Sequence, residues 1–393
     1  MSDAPVPYGN YQFEIYLEGM SGKVPDLPTT YAELEAEAHE KLSAGAFGYV
    51  AGGAGEEVTV RENRAAFDRW RIVPRMLVDV SERDLSTTVL GTEMPAPLML
   101  APVGVMSIVH EEAERAVARA ARELGLPMVL SNAASTTLED VAAELGDTPR
   151  WFQLYWPTNN DLAASFVSRA KDAGYSAIVV TLDTRLLAWR PRDLSRAYLP
   201  FLKGEGVANY LQDPVFRAAL EKPPEDDLQA AIGLWATLFS NPYLSWDDLD
   251  FLQAHTDLPI VLKGVLHPDD ARRAVDAGVD GLIVSNHGGR QVDGSIAALE
   301  ALPEVVEAVP DDFPVLFDSG VRTGADMLKA IALGARAVLV GRPYVWGLGL
   351  GGEQGVQQVL RGLLADFDLT LALSGYTKPS DLGHGALRRA DAL

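Results

Sequence analysis

Eight short apolar runs, each closing on a polar residue or a glycine, recur along the chain at 97–102, 128–132, 151–155, 177–183, 259–265, 281–287, 314–319 and 337–342. Runs this short and this continuously apolar suit strands covered on both faces, as in a parallel sheet flanked by helices. Amphipathic helical periodicity fills most of the gaps between them, at 112–124, 138–145, 162–173, 268–277 and 324–333. Eight buried strands alternating with helices predict a parallel (βα)8 barrel of the TIM type. Such a barrel absorbs all 393 residues in one domain.

One connection breaks the rhythm. Residues 184–258 amount to roughly 75 positions, against about 30 for a whole βαβ unit. An insertion after the fourth strand lies over the face that carries chemistry in such barrels, so it is a candidate lid. Its acidic stretch 223–227 is read as the mobile portion, and Trp235, Leu238 and Phe239 as the residues that dock it. Ahead of the barrel, residues 1–74 form an N-terminal extension. Residues 1–30 are expected to wrap the surface, and Thr30 to cap a helix running to about Leu42. The glycine-rich stretch 48–56 lacks the GxxxxGKS spacing of a phosphate loop and is read as a loop presenting Tyr49. Residues 352–373 read as a helical appendage and 380–393 as a frayed tail.

The formal net charge of -22 argues against a nucleic-acid partner, which needs a basic face. No run approaches the roughly 18 apolar residues of a membrane span, and no signal peptide opens the sequence, so a soluble cytoplasmic protein is expected. Without cysteine there are no disulfides, thiolate metal sites or thiol nucleophiles. No metal centre is expected.

Polar residues gather at the C-terminal ends of the predicted strands: Gln153 and Tyr155, Thr181 and Asp183, Lys263, Ser285 and His287, Asp318, and Arg342. Singly each has a duller reading, with Tyr155 a rim aromatic, Lys263 salt-bridged to a neighbouring carboxylate and Asp183 a helix cap. Together at one barrel mouth they are costly to bury without a polar ligand. The sixth strand ends in Ser285-Asn-His-Gly-Gly-Arg-Gln291, which supplies a base that titrates near neutrality, a sharp turn, and a guanidinium able to hold a carboxylate through two hydrogen bonds. The loops after strands seven and eight, Asp318-Ser-Gly-Val-Arg322 and Gly341-Arg342, combine glycine amides with two guanidiniums and suit a phosphate dianion. One such site and no strand-linked GxGxxG point to a mononucleotide.

The SNHGGRQ run closely resembles the signature of the FMN-dependent 2-hydroxy acid oxidising family, and the resemblance extends over about 31–382. It implies FMN as cofactor, a small 2-hydroxy acid and O2 as partners, and a homotetramer or homo-octamer. It further implies that His287 is the catalytic base and Asp183 the group that stabilises its imidazolium. Tyr49, Arg190 and Arg290 match substrate-binding groups, and Tyr155 the phenol at the substrate hydroxyl. Lys263 matches the cation beside flavin N1 and O2. Ser131, Gln153, Thr181 and Ser285 match polar positions around the isoalloxazine, and Pro102, Val103 and Gly104 the backbone near N5. Asp318, Gly320, Arg322, Gly341 and Arg342 match ribityl and phosphate contacts. The chemistry implied is oxidation to a 2-oxo acid, His287 taking a proton from the hydroxyl or from Cα.

Within the family, Gly104 in place of alanine, the long insertion, the WRPRDL and DPVF segments and the N-terminal extension resemble lactate 2-monooxygenase, which converts L-lactate and O2 to acetate, CO2 and water. Gly104 is expected to leave the oxygen-facing flavin edge less crowded. Ala133, where glycolate oxidase has tryptophan, implies a wider pocket and admits larger acids. A hydroxy acid oxidase producing H2O2, a dehydrogenase passing electrons to another acceptor, a flavoenzyme acting on a peptide-derived cofactor and a noncatalytic flavin binder remain open alternatives.

Overall fold

The computed structural model describes residues 6–390. Eight parallel strands close into a barrel: β1 (Leu98–Leu100), β2 (Met128–Ser131), β3 (Arg150–Leu154), β4 (Ile178–Thr181), β5 (Ile260–Val265), β6 (Gly281–Val284), β7 (Val315–Phe317) and β8 (Val338–Val340). Each falls inside a predicted run, save that β3 starts one residue early, at Arg150. Neighbours pair in chain order and β8 returns to β1, so no barrel edge is left unpaired.

Strand alternation sorts the residues into two faces. Met99, Val129, Trp151, Val179, Val261, Ile283, Leu316 and Leu339 form one buried cluster, the barrel's filling. Their neighbours, such as Leu130, Phe152, Val180, Leu262 and Val284, belong to the cluster shared with the surrounding helices. The hairpin of Thr87–Val89 and Thr92–Met94 plugs the N-terminal end, with Val89 and Met94 in the inner cluster and Thr92 Oγ1 accepting a 2.9 Å hydrogen bond from Trp151 Nε1. Two residues beyond the apolar layer, the same alternation turns Ser131, Gln153, Thr181, Lys263, Ser285 and Asp318 inward at the opposite end. Period two therefore stacks a polar layer on an apolar one.

Outside the barrel the structure departs from the sequence reading in four places. Tyr49 stands on a helix, Ala44–Ala51, capped by the Ser43 side chain, and not on a loop. Residues 352–373 are no appendage: a helical segment begins at Arg342, directly after β8, and runs to Leu373 with a break at Gly351 and Gly352. It packs against Ala113–Leu124 and Gly324–Ala332, where a barrel's eighth helix belongs. The tail is paired and not frayed, since Leu387–Arg389 lies antiparallel to Trp70–Ile72; residues 391–393 fall outside the described residues. Finally, helix Leu249–His255 packs on Asn160–Asp172 as an ordinary crossover helix, so the true insertion ends near residue 248. The expected N-terminal helix is present as Tyr31–Lys41, with Thr30 accepting from the Glu33 amide. The N-terminal wrap is helical over Tyr11–Gly19, and the Gly9 amide donates to the buried Asp368 carboxylate at 2.8 Å.

The break in the last helix lets Gly347 and Gly355 meet. A Cβ on Gly355 would stand 2.1 Å from the Gly347 carbonyl oxygen, and one on Gly347 2.5 Å from that of Gly355. Gly355→Val is expected to cost about 1–3 kcal/mol through overpacking and to lower Tm by several degrees in a circular-dichroism melt; an unchanged Tm would contradict this close crossing.

Candidate active site

β6 delivers its histidine through an unusual turn. His287, Gly288 and Gly289 have φ of 58°, 63° and 78°, three successive left-handed residues. A non-glycine residue held there costs about 1–3 kcal/mol, so the surroundings must fix it. Ser285 Oγ accepts the His287 amide at 3.0 Å, and Ser319 Oγ the Gly288 amide at 3.0 Å. The buried Asn286 exchanges two side-chain hydrogen bonds with Asn63, at 2.7 and 2.8 Å.

The imidazole has a distinct neighbour at each nitrogen. Nδ1 lies 2.8 Å from Asp183 Oδ1, and the Thr184 hydroxyl donates to the same oxygen at 3.0 Å. Nε2 faces the Tyr155 hydroxyl at 3.4 Å. The carboxylate selects the tautomer protonated at Nδ1, which leaves the Nε2 lone pair directed at the cleft. Burial lowers the His287 pKa from its ordinary value, outweighing the opposing charge of Asp183, and Lys263 and Arg190 add to the lowering. Burial by itself would raise Asp183; the charges of His287 and Lys263 and the hydrogen bonds from His287 and Thr184 outweigh it and hold the carboxyl at about 2. A neutral base thus stands against a fixed anion. Gly264, at φ 106°, lets β5 pass, since a Cβ there would come within 3.0 Å of the Asp183 side chain.

The same cleft gathers cations that no carboxylate pairs directly. Arg290 donates to the carbonyls of Tyr49 and Gly52 at 2.6 and 2.7 Å and lies over the Tyr49 ring. Arg190 donates to Arg290 O and Gln291 Oε1, and Arg342 to the carbonyls of Val50, Gly288 and Gly52. No carboxylate among the described residues forms an ion pair with any of the three. Burial, then the charges of Arg190 and Arg342, pull Arg290 down to about 9; burial, then Arg322, brings Arg342 to about 10. Buried like charges depressed in this way favour an incoming anion.

These groups share one cleft, with about 1070 Å³ of empty space when the part open to solvent is included. Of the predicted residues, Tyr49, Tyr155, Arg190, Lys263, His287 and Arg290 line it. So do Pro102, Val103 and Gly104 on one flank, and Asp318, Gly320, Arg322, Gly341 and Arg342 at the far end. Asp183, Ser131, Gln153, Thr181 and Ser285 stand behind this lining. Lys263 donates to Ser285 Oγ at 2.9 Å and pairs with Asp318 at 3.2 Å, so the duller salt-bridge reading is also realised. Burial works against its charge, but Asp318 and Asp183 outweigh that and raise its pKa, so the ammonium persists. Gln153 accepts from Ser131 at 2.8 Å, yet its buried Nε2 has no partner, and neither has the Nε of Arg322. At the far end the helical segment starting at Arg342 has Gly341 as N-cap, with no side chain capping its first amides. A planar ligand with hydrogen-bonding edges and a phosphate fits this set of unspent donors, and FMN is such a ligand.

Gly104 does not play the role expected of it. A Cβ there would lie 2.6 Å from the Ala133 carbonyl oxygen, so the missing methyl gives room to a neighbouring backbone and leaves no gap. Thr184 and Ser319 escaped the sequence reading. Thr184 directly follows Asp183, and Ser319, at φ 85°, holds the Asn286 and Gly288 amides and donates to Asp318. The apolar wall of Phe201 and Phe239 was also missed as lining, although Phe239 was read as docking the insertion.

A family model described as FMN-dependent dehydrogenase matches residues 38–389. The FMN-dependent alpha-hydroxy acid dehydrogenase qulF of Penicillium citrinum is 46% identical over 389 residues, covering 98% of this chain and 97% of its own. An L-lactate oxidase of Lysinibacillus sphaericus (strain C3-41) is 44% identical, covering 97% of each chain. Among solved structures, a mandelate oxidase superposes with a TM-score of 0.81 at 38% identity, covering 92% of this chain and 98% of that one.

A small dianion such as oxalate is expected to stabilise the protein through the Arg190–Arg290 pair, by about 2.7 kcal/mol at 100 times its Kd. Arg290→Gln should abolish that rise in Tm while FMN stays bound; a rise of equal size in the variant would remove Arg290 from the anion site.

Proposed function

The chain belongs to the FMN-dependent dehydrogenase family, and on that premise we propose that it oxidises an L-2-hydroxy acid to the 2-oxo acid, with His287 as base and O2 as the terminal oxidant. The observation that carries this reading is the neutral imidazole, fixed by Asp183 at 2.8 Å, in a cleft that also holds arginines with no carboxylate ion pair.

Arg290 and Arg190, with Tyr49 beside them, bind the substrate carboxylate. Tyr155, 3.4 Å from Nε2, orients the substrate hydroxyl toward the base. Nε2 takes the proton, and Asp183 stabilises the imidazolium that results. FMN, when bound, supplies the two-electron acceptor. Lys263 keeps a positive charge at the cofactor's side of the cleft, where it offsets negative charge gained during the reaction. Overall, hydroxy acid and O2 become 2-oxo acid and H2O2.

L-Lactate is the smallest substrate this reading accommodates, and the likeness to an enzyme named L-lactate oxidase supports it. The alanine at position 133 and the apolar wall of Phe201 and Phe239 leave room for larger side chains. A second reading, lactate 2-monooxygenase, draws on the way the insertion closes one flank: Trp235 stacks on Phe201 at 4.8 Å and Phe239 lies 5.3 Å from the Tyr155 ring. A closed flank retains pyruvate while oxygen reacts, giving acetate, CO2 and water. Gly104 no longer argues for it.

Anaerobic L-lactate should bleach the flavin. Pyruvate with stoichiometric peroxide after air supports the oxidase, and acetate with CO2 the monooxygenase; bleaching that persists in air would overturn O2 as oxidant. Because the base must be neutral, kcat/KM should rise with pH, with its midpoint below the ordinary imidazole value of 6.5. Asp183→Asn removes the charge that raises His287, so the midpoint should move further to acid while the plateau falls roughly 10²–10⁴-fold. A midpoint that stays in place would separate Asp183 from the base.

A further inference from the structure

Glu114 has no part in the chemistry above, yet its side chain is wholly buried in the first turn of helix Ala113–Leu124. Its Oε1 accepts two backbone amides from different barrel loops: Ser135, after β2, at 3.0 Å, and Met106, after β1, at 3.3 Å. The same two loops also meet next to that bridge. Val105 donates to the Ala133 carbonyl at 3.0 Å, and Gly104 leaves no space for a Cβ against the same oxygen. Gly104 and Ala133 both line the cleft.

The contact is strained. Val105, a β-branched residue, is held at φ 61° and ψ 35°, a conformation such residues abandon unless their surroundings enforce it. On one side Val105 is held by Ala133, and on the other its neighbour Met106 is held by Glu114. Ser107 Oγ also meets Ser135 Oγ at 2.7 Å.

We propose that Glu114 is a positioning residue: by accepting both loop amides it locks Val105 in its strained turn and fixes the Gly104–Ala133 wall against which cofactor and substrate are set. Burial raises the Glu114 pKa against the lowering by its amide donors, and both amides go to Oε1 while the buried Oε2 has no partner, so a neutral isostere keeps the same acceptor. Without the acceptor two buried amides go unpaired, Val105 relaxes, and the wall moves by a fraction of an ångström or more. Misplacement near 1 Å costs about 10²-fold in rate. The carboxylate clamp is carried by other elements and stays in place.

The inference rests on FMN filling this cleft and is independent of which hydroxy acid is oxidised, because part of its test is spectroscopic. Glu114→Gln, Glu114→Leu and Glu114→Asp holoenzymes are compared by kcat, KM, the visible absorption of bound flavin and the Kd for FMN. Gln should match the parent. Leu, with no acceptor, and Asp, too short to reach both amides, should lower kcat roughly 10–100-fold, with KM within about threefold and a shifted flavin band. A merely structural role would lower Tm in Leu and Asp while leaving kcat and spectrum intact, and that result overturns the proposal. So does a Gln variant as impaired as Leu. If Leu does not fold, Asp with parental kcat and spectrum overturns it on its own. Should the tested acids give no turnover at all, the spectra and FMN affinities still decide.

Discussion

Closing eight parallel strands into one barrel turns every second residue inward, and the interior accepts those side chains only in stacked layers. Here the middle layer is apolar, from Met99 and Val129 round to Leu339, with Trp151 hydrogen-bonded to the plug below. Two positions further along the same strands come Ser131, Gln153, Thr181, Lys263, Ser285 and Asp318. That polar layer pairs internally only in part, since Lys263 takes Ser285 and Asp318 but Gln153 Nε2 takes nothing. Buried donors left open in a low-dielectric interior are a standing cost to the protein alone. A planar ligand bound there, as FMN would be, would offset that cost by taking up the open donors.

The same position explains the sign of the site. A chain with a net charge of -22 nonetheless turns Arg190, Arg290, Arg322 and Arg342 toward one cleft, with no carboxylate ion pair among the described residues for any of them. Three of the four spend their donors on backbone carbonyls from other segments, so each cation also ties chain together: Arg290 and Arg342 converge on Gly52, where the helix that carries Tyr49 ends. The contacts that gather the cations therefore also place Tyr49.

Much of this was legible in the sequence because period two is local. Alternation within a strand places His287, Lys263 and Asp318 at one end of the barrel without any long-range contact being known. What escaped depends on partners distant in the chain. Leu387–Arg389 is ordered only because Trp70–Ile72 pairs with it, and nothing in either segment announces the other. Tyr49 lies on a helix because Ser43 caps a run whose glycines read as loop signals; Gly45 and Gly48 are instead helical positions pressed close to Tyr198 and Arg192. Gly104 was misjudged for a related reason. The absence of a side chain reads as space, but whether space results depends on what else approaches, and the Ala133 carbonyl does.

That same carbonyl bears on how the insertion works. Gly206, at φ 72°, would carry a Cβ 2.9 Å from it, and Ala208 donates to the Ala134 carbonyl at 3.2 Å. Asn209 accepts the Leu138 amide at 2.8 Å and donates to the Asn132 carbonyl at 3.2 Å, while Ser107 donates to Glu205. Even the acidic stretch read as mobile is tethered, through Arg217 to Glu225 at 2.9 and 3.0 Å and through Asp227 capping helix Leu228–Leu238. The middle of the insertion is therefore a wall fixed to the barrel loops. The short segment before it is held as well: although Leu186 and Trp189 are 62% and 74% exposed, the Gln291 side chain donates to the Leu186 carbonyl at 3.2 Å and the Gly55 amide to that of Trp189 at 2.9 Å, so Leu187 lines the cleft from a backbone tied on both sides.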